Sequence, residues 1–338
     1  MVKILELKGY SFHFTLRERD STVSLMDKLG FSYTKRGKGG KNILTKLLAM
    51  PVMDFKVYKV ARKFKPDLFM SFASPYAGQV AWIMGKPHIT FDDTEHAIFA
   101  HKLYRPFSSV VLSPSCYYKP KEKKQQLFDS YMELCYLHPS YFKPNSSILN
   151  DLRVNKDEKY CIVRFVSWDA NHDVGQKGLS YKAKLKIVEQ LTKYGKVFIS
   201  SESQLPKPLE PYKLRTHPSQ LHDVISHAAL YIGEGSTTAS EAAVLGTPAI
   251  YINSLIVGYC KEQEKKYNLL YHFTNDEGVI EKAIEILTNK ASDSTLVKRD
   301  FMLSEKIDPT AFMVWFIENY PQSAKTMREN PDYQYRFK

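Results

Sequence analysis

Acidic side chains are in short supply: 36 Asp and Glu stand against 48 Lys and Arg, which leaves a net charge of +12 over 338 residues. Such a surface favours anionic partners, whether nucleic acid, lipid or phosphorylated small molecules. No helix-turn-helix, zinc-finger or RRM signature accompanies the charge, so nucleic acid is not an expected partner. Cysteine is scarce too. Cys116, Cys135, Cys161 and Cys260 are widely spaced, with neither metal-ligand spacing nor a disulfide framework. That pattern predicts reduced, structural thiols in a cytoplasmic protein and no metal site. Cys161 lies in an apolar run and reads as core. Long apolar runs are missing. The longest uncharged stretch, residues 68–85, contains Pro75, Gly78 and Gln79 and reads as a strand and a buried helix, not a membrane span. Met1-Val2-Lys3-Ile4-Leu5 has neither the apolar centre nor the cleavage site of a secretory signal. There is also no Walker loop, H-E-x-x-H, C-x-x-C or G-x-S-x-G.

What is there is globular: 43% hydrophobic and 25% charged residues. The length suits two domains of roughly 150 residues each. Short β-type runs alternate with helical patterns, which predicts parallel sheets. Strands are expected at 11–16, 67–71, 88–91 and 110–113, with helices at 21–29, 43–64 and 76–84; Pro51 should break or kink the second of these. The series restarts with strands at 160–166, 197–200, 230–232 and 249–252 and helices at 181–194, 222–227, 237–245, 277–288 and 310–319. The fold class is therefore α/β, two doubly wound Rossmann-like domains facing a cleft. We assign residues 1–150 to an acceptor-side domain, 151–305 to a nucleotide-sugar domain and 306–338 to a C-terminal helix and tail, with the seam in the polar stretch 145–159. Residues 2–8 followed by Gly9 read as the end of a helix with its glycine cap, so the opening strand and loop of the first domain are expected to be missing upstream. The alternative is that residues 2–7 form a strand in a hairpin with 11–16.

The strongest motif is Leu230-Tyr-Ile-Gly233-Glu234-Gly235-Ser236-Thr237-Thr238-Ala239-Ser240-Glu241, followed by Gly246-Thr247-Pro248. A buried strand runs into a Gly/Ser/Thr turn that opens a helix. Glycine lets backbone approach an anion, free amides and the dipole at a helix start attract phosphate, and hydroxyls add donors and caps. Glu241, one turn in, is placed to accept hydrogen bonds from a ribose diol. A well-capped helix without a ligand is the competing reading. This segment resembles the donor site of GT-B enzymes, including the N-acetylglucosaminyltransferase that makes lipid II and the non-hydrolysing UDP-N-acetylglucosamine 2-epimerases. The resemblance implies that Gly235, Ser236, Thr237 and Thr238 hold a diphosphate and Glu241 the ribose. Glu234 departs from it, since a carboxylate beside a diphosphate is repulsive unless a cation intervenes.

Nearly the whole chain is also similar to the domain-of-unknown-function family 354. The similarity rests on Lys65-Pro66-Asp67 with residues 71–75, Pro87-His88-Ile89-Thr90-Phe91-Asp92-Asp93-Thr94-Glu95-His96-Ala97, Glu133-Leu134-Cys135-Tyr136-Leu137-His138-Pro139, Arg164 with Trp168-Asp169-Ala170, and the turn just described. It implies a GT-B-like fold and no proven reaction. Its members begin with a strand and a His-containing loop that this chain lacks.

Two further clusters lie after strands, at the sheet edge where open α/β folds bind ligands. In the first, Asp93, Glu95 and His96 are candidate bases or acceptor contacts; capping of the next helix by Asp93 or Thr94, or cation binding, are the alternatives. In the second, Arg164 sits in an apolar strand and must find an anion or carbonyls. Ser167, Trp168, Asp169, Asn171, His172 and Asp173 follow it, while Ser71, Ser74, Ser201, Glu202 and Ser203 read as turn residues at the same edges. The basic run Lys119, Lys121, Lys123 and Lys124 is a solvated loop or a contact for anionic lipid. The expected function is metal-independent glycosyl transfer from a nucleotide-sugar, UDP-linked by the resemblance, to a glycan or lipid-linked acceptor. Surface polysaccharide synthesis is the setting, in the cytoplasm or at the inner membrane face, with no bound cofactor. A nucleotide-sugar epimerase and a non-catalytic scaffold of the same fold are the alternatives.

Overall fold

Apolar runs of three to five residues become parallel strands, and the amphipathic stretches between them become the covering helices. The computed structural model describes all residues except 19, 38–42, 120–121, 156, 166–178, 202–203 and 290–291. Two compact units are formed, Met1–Ser130 with Pro309–Phe337, and Tyr131–Asp308 with Lys338. Ser167, Trp168, Asp169, Asn171, His172, Asp173, Glu202 and Ser203 lie outside the described residues.

The first unit runs α1 (Val2–Leu7), β1 (Phe14–Leu16), α2 (Asp20–Leu29), β2 (Tyr33–Lys35), α3 (Ile43–Phe64), β3 (Phe69–Phe72), α4 (Pro75–Ile83), β4 (His88–Phe91), α5 (Ile98–Tyr104), β5 (Val110–Pro114) and β6 (Gln125–Phe128). Strands β3-β4-β5-β6 form a parallel sheet in that order, and β1 pairs with β2 in a separate parallel pair. β4 and β5 are buried along their whole length, as expected of central strands covered on both faces. Val57 and Ala61 of α3 pack with Val80 and Ala81 of α4 and Phe69 of β3. Residues 2–7 are helical, with Gly9 left-handed beyond the end at φ +91°, and β1 pairs with β2; the hairpin alternative is therefore overturned. Pro51 does not break α3. Proline removes a single backbone donor, and the packed residues Val57 and Ala61 lie further along the helix.

The second unit runs α6 (Leu134–Leu137), α7 (Ile148–Asp151), β7 (Tyr160–Arg164), α8 (Tyr181–Leu191), β8 (Lys196–Ser200), α9 (Leu221–Ser226), β9 (Leu230–Gly233), α10 (Ser236–Leu245), β10 (Ala249–Ile252), α11 (Gly258–Lys265), β11 (Leu270–Phe273), α12 (Val279–Thr288) and α13 (Ser292–Glu305). Its five parallel strands stand in the order β11-β10-β9-β7-β8. Alternate residues of each strand share a face. Cys161, Val163, Val197, Ile199, Leu230, Ile232, Ile250 and Ile252 meet Ile187, Val188 and Leu191 of α8 and Val279, Ala283 and Leu287 of α12. Each of the valines, leucines and isoleucines among them contributes about 1.5–3 kcal/mol by burial. The Cys161 thiol, pushed up to about 12 by that burial, is a core group.

Two final helices, α14 (Pro309–Glu318) and α15 (Gln322–Glu329), belong to the first unit. Phe312 stacks on Phe128 with ring centroids 5.9 Å apart. Gln126 Nε2 donates to the Ala324 carbonyl at 2.8 Å, and the Asp129 amide donates to Gln334 Oε1 at 2.6 Å. The stretch after Ser130 is tied into the second unit instead, for example by the Asn145 amide donating to Asp223 Oδ1 at 2.9 Å. The units thus divide ahead of the polar stretch 145–159, and residues 309–337 are an integral part of unit 1.

Candidate functional site

In the second unit, the chain leaves β9 at Gly233. A Cβ there would collide with the Tyr231 hydroxyl and stand 2.9 Å from the Arg164 carbonyl oxygen, so only glycine fits this close approach of β9 to β7. Glu234 follows and its amide donates to the same Arg164 carbonyl at 3.2 Å. Its carboxylate is turned inward and buried. Oε1 accepts the Leu179 amide at 2.6 Å, Oε2 lies 3.3 Å from Lys184 Nζ, and that ammonium is 5.1 Å from the centre of the Phe165 ring. The cation that a carboxylate in this turn requires is therefore supplied by α8.

Gly235 occupies the N-cap position of α10 in extended conformation, and with no side chain it leaves the amides of the first turn to other partners. Thr237 is exposed, and Ser236 and Thr238 are half-buried. Ser236 Oγ accepts the Tyr259 hydroxyl at 2.8 Å, and Ser240 Oγ accepts Gln263 Nε2 at 2.7 Å, which fixes α10 against α11. Gly246, left-handed at φ +88°, ends the helix. Arg164 closes β7, and its Nη1 donates to Ser200 Oγ at 2.8 Å.

Glu241 is buried on α10. Its Oε1 accepts the Tyr136 hydroxyl at 2.9 Å and lies 3.1 Å from His222 Nε2. The His222 ring contacts Tyr136 at 5.6 Å and Phe142 at 6.0 Å between centroids. Burial first, then the Glu241 charge, pushes the Tyr136 hydroxyl far above the usual phenol range. Tyr136 and His222 were not legible as partners of Glu241. The signals were present only as a histidine in the first turn of α9 and a tyrosine in the short segment 133–139.

In the first unit, the loop after β4 is organised by Asp92, not by the three residues singled out from the sequence. Asp92 is fully buried. It pairs with Arg105 Nη2 at 2.8 Å, accepts the Tyr104 hydroxyl at 2.6 Å and the Thr94 amide at 3.1 Å, and lies 3.3 Å from His101 Nε2. Burial alone would raise its pKa, but the bonds from His101, Tyr104, Arg105 and Thr94 outweigh it and hold the carboxyl at about 2. Asp93 goes the other way: burial raises it to about 6, against the opposing bond from the Thr94 hydroxyl at 3.0 Å. Neither Asp93 nor Thr94 caps α5, whose N-cap is Ala97 without a side-chain bond. Glu95 is buried, and His96 is exposed with its pKa lowered, first by burial and then by Lys119. Ser71 is structural: its Oγ lies 2.9 Å from His88 Nε2 and accepts the Ser74 amide at 3.2 Å.

A cavity of about 300 Å³ opens at the other edge of the second sheet, where Lys159, His227, Pro248 and Asn268 precede the strands. The residues of the Ser236 turn are not among its walls.

Residues 1–320 match the family model described as Protein of unknown function (DUF354). A protein of Methanocaldococcus jannaschii described as uncharacterized is 24% identical over 331 residues, covering 95% of this chain and 93% of its own. Among solved structures, the Staphylococcus aureus MnaA-UDP complex aligns with a TM-score of 0.62 at 10% identity, over 92% of this chain and 96% of that one. The UDP-GlcNAc 2-epimerase of Methanocaldococcus jannaschii gives 0.57 at 12%, over 83% and 94%. MurG of Acinetobacter baumannii gives 0.53 at 13%, over 90% and 89%. The fold is therefore that of the GT-B glycosyltransferases and the nucleotide-sugar epimerases.

Proposed function

The chain belongs to the DUF354 family, and from that membership and its GT-B fold we propose that it is a glycosyltransferase that takes a nucleotide-diphosphate sugar as donor. The observation that carries this reading is the turn from β9 into α10. Gly233 brings the backbone close to β7, Glu234 is withdrawn onto Lys184, and Gly235 leaves the first-turn amides unhindered. In this reading those amides, with the hydroxyls of Thr237 and Thr238 and the Arg164 guanidinium, hold the diphosphate and stabilise it as leaving group. Glu241, oriented by Tyr136 and His222 through Oε1, accepts the ribose hydroxyls on its other oxygen. Asp93, with its pKa near the working range of a general base, takes the proton of the acceptor hydroxyl, with Glu95 and His96 beside it. UDP is the expected nucleotide, and a glycan or lipid-linked acceptor in surface polysaccharide synthesis the expected setting.

The test is a thermal-shift panel of UDP, GDP, CMP, ADP and dTDP on the unaltered protein and on Glu241→Ala. Ligand at about 100-fold its Kd should stabilise by roughly 2.7 kcal/mol. A selective shift lost in the variant supports a nucleotide site at the turn; no shift with any nucleotide removes the reading. Product analysis on the donor sugar without acceptor then separates transfer from epimerisation.

A further inference from the structure

We propose that the outward face of α3 is a docking surface for an anionic lipid bilayer. Large apolar side chains stand in the solvent there. Leu48, Val52 and Phe55 are 72%, 55% and 58% exposed. On α3 the three residues are spaced i, i+4, i+7, which puts them on one stripe. That stripe points away from the core, because Val57 and Ala61, half a turn round, are the residues that pack inward. α4 lies on that inward side as well, where Gln79 Nε2 reaches Met50 Sδ at 3.5 Å, and so leaves the stripe uncovered. Among the described residues, nothing covers this face.

The charge around the stripe decides the occupant. The α3 segment itself, Ile43–Phe64, holds five Lys and Arg against a single Asp. Lys59 continues the stripe itself, with Nζ 5.2 Å from the Phe55 ring centre, and Arg62 and Lys63 lie one turn on. A second copy seated on this face would bring the same lysines against each other. A nucleic-acid backbone would satisfy the lysines but leave Leu48, Val52 and Phe55 against phosphate. A bilayer satisfies both: the apolar side chains enter the boundary between headgroups and acyl chains, while flanking ammonium groups meet anionic headgroups. No described helix is long and apolar enough to cross a membrane, so the contact is peripheral. This surface is independent of the nucleotide reading, since none of its residues lies in the Ser236 turn.

The experiment is co-sedimentation of the whole protein with vesicles of phosphatidylglycerol and phosphatidylcholine in roughly equal parts, and with phosphatidylcholine alone. Two variants are compared, Leu48→Ser/Val52→Ser/Phe55→Ser and Lys59→Glu/Lys63→Glu, each with circular dichroism and light scattering. The unaltered protein should bind the mixed vesicles and bind phosphatidylcholine at least about tenfold more weakly. Each variant should stay folded and lose about tenfold or more in partitioning to the mixed vesicles. Any nucleotide-induced thermal shift should survive in both. Absence of vesicle binding, or equal binding by the apolar variant and the unaltered protein, overturns the proposal. So does a dimer in solution that the apolar variant dissociates while vesicles remain unbound, since that makes a second copy the occupant.

Discussion

Lys184 and Glu234 form a buried ion pair, Nζ to Oε2 at 3.3 Å, with 4% and 6% of the two side chains exposed. The pair ties the start of α8 to the turn after β9 and keeps the carboxylate of that turn neutralised. Removing one partner strands the other charge in a low-dielectric interior. Lys184→Met should therefore cost about 3–5 kcal/mol of stability, whereas Lys184→Met with Glu234→Met should be closer to neutral. Urea unfolding of the two variants checks both statements.

The adjacent carboxyls Asp92 and Asp93 should leave opposite marks on the pH dependence of stability. Asp92 has a folded pKa of about 2, below its ordinary 3.8, so its contribution is complete above about pH 4 and is lost as the pH falls toward 2. Asp93 has a folded pKa of about 6, above its ordinary 3.8, so stability is lost as the pH rises from about 4 to 6. Asp93→Asn should then be stabilising near pH 7, by roughly 1–2 kcal/mol, and the gain should vanish below about pH 4. Asp92→Asn should destabilise at neutral pH, because Arg105 loses its buried partner. Chemical denaturation across this range reads both effects. If Asp93 is the base, the more stable variant is also the inactive one.

Tyr136→Phe should discriminate orientation from charge at Glu241. The hydroxyl is lost but the carboxylate stays, so nucleotide affinity should fall by about tenfold, the equivalent of one hydrogen bond to a charged group. Glu241→Ala should abolish it. Isothermal titration calorimetry with the nucleotide selected by thermal shift compares the two; equal loss in both would mean that Tyr136 does more than orient.

Gly233→Ala should destabilise the second unit by about 1–3 kcal/mol, because the backbone of β9 must back away from β7 to admit the methyl group. Since the displaced segment opens α10, nucleotide binding should weaken with it. A melting temperature measured with and without nucleotide separates these two losses.

Much of the second unit was legible from local pattern. A buried strand, a glycine turn and a helix ended by Gly246 announce themselves within 17 residues, and the bounds of β9, α10 and β10 fall within about one residue of the reading. What stayed hidden was long-range pairing. Tyr136 finds Glu241 across 105 positions, and Lys184 finds Glu234 across 50. No periodicity encodes either distance. In the first unit, four acidic or basic groups within five residues pointed to a site, but sequence order could not say that Asp92 would take Arg105, Tyr104 and His101, leaving Asp93 to be raised. The division after Ser130 was missed for a related reason. Residues 145–159 look like a linker because they are polar and largely exposed, yet their backbone is tied into the second unit, as by the Asn145 amide donating to Asp223.

The stacking of Phe312 on Phe128 bears on how the chain is made. Apart from Lys338, unit 2 occupies a continuous stretch, 131–308, whereas unit 1 needs residues on both sides of it. A ribosome therefore releases every residue of unit 2 up to Asp308 before it has made the helices that cover β6. Domains fold as units during synthesis. Here the segment made first waits for the one made last: β6, with Phe128, Gln126 and Asp129 unpartnered by α14 and the residues after it, stays open as an edge throughout translation of 178 residues.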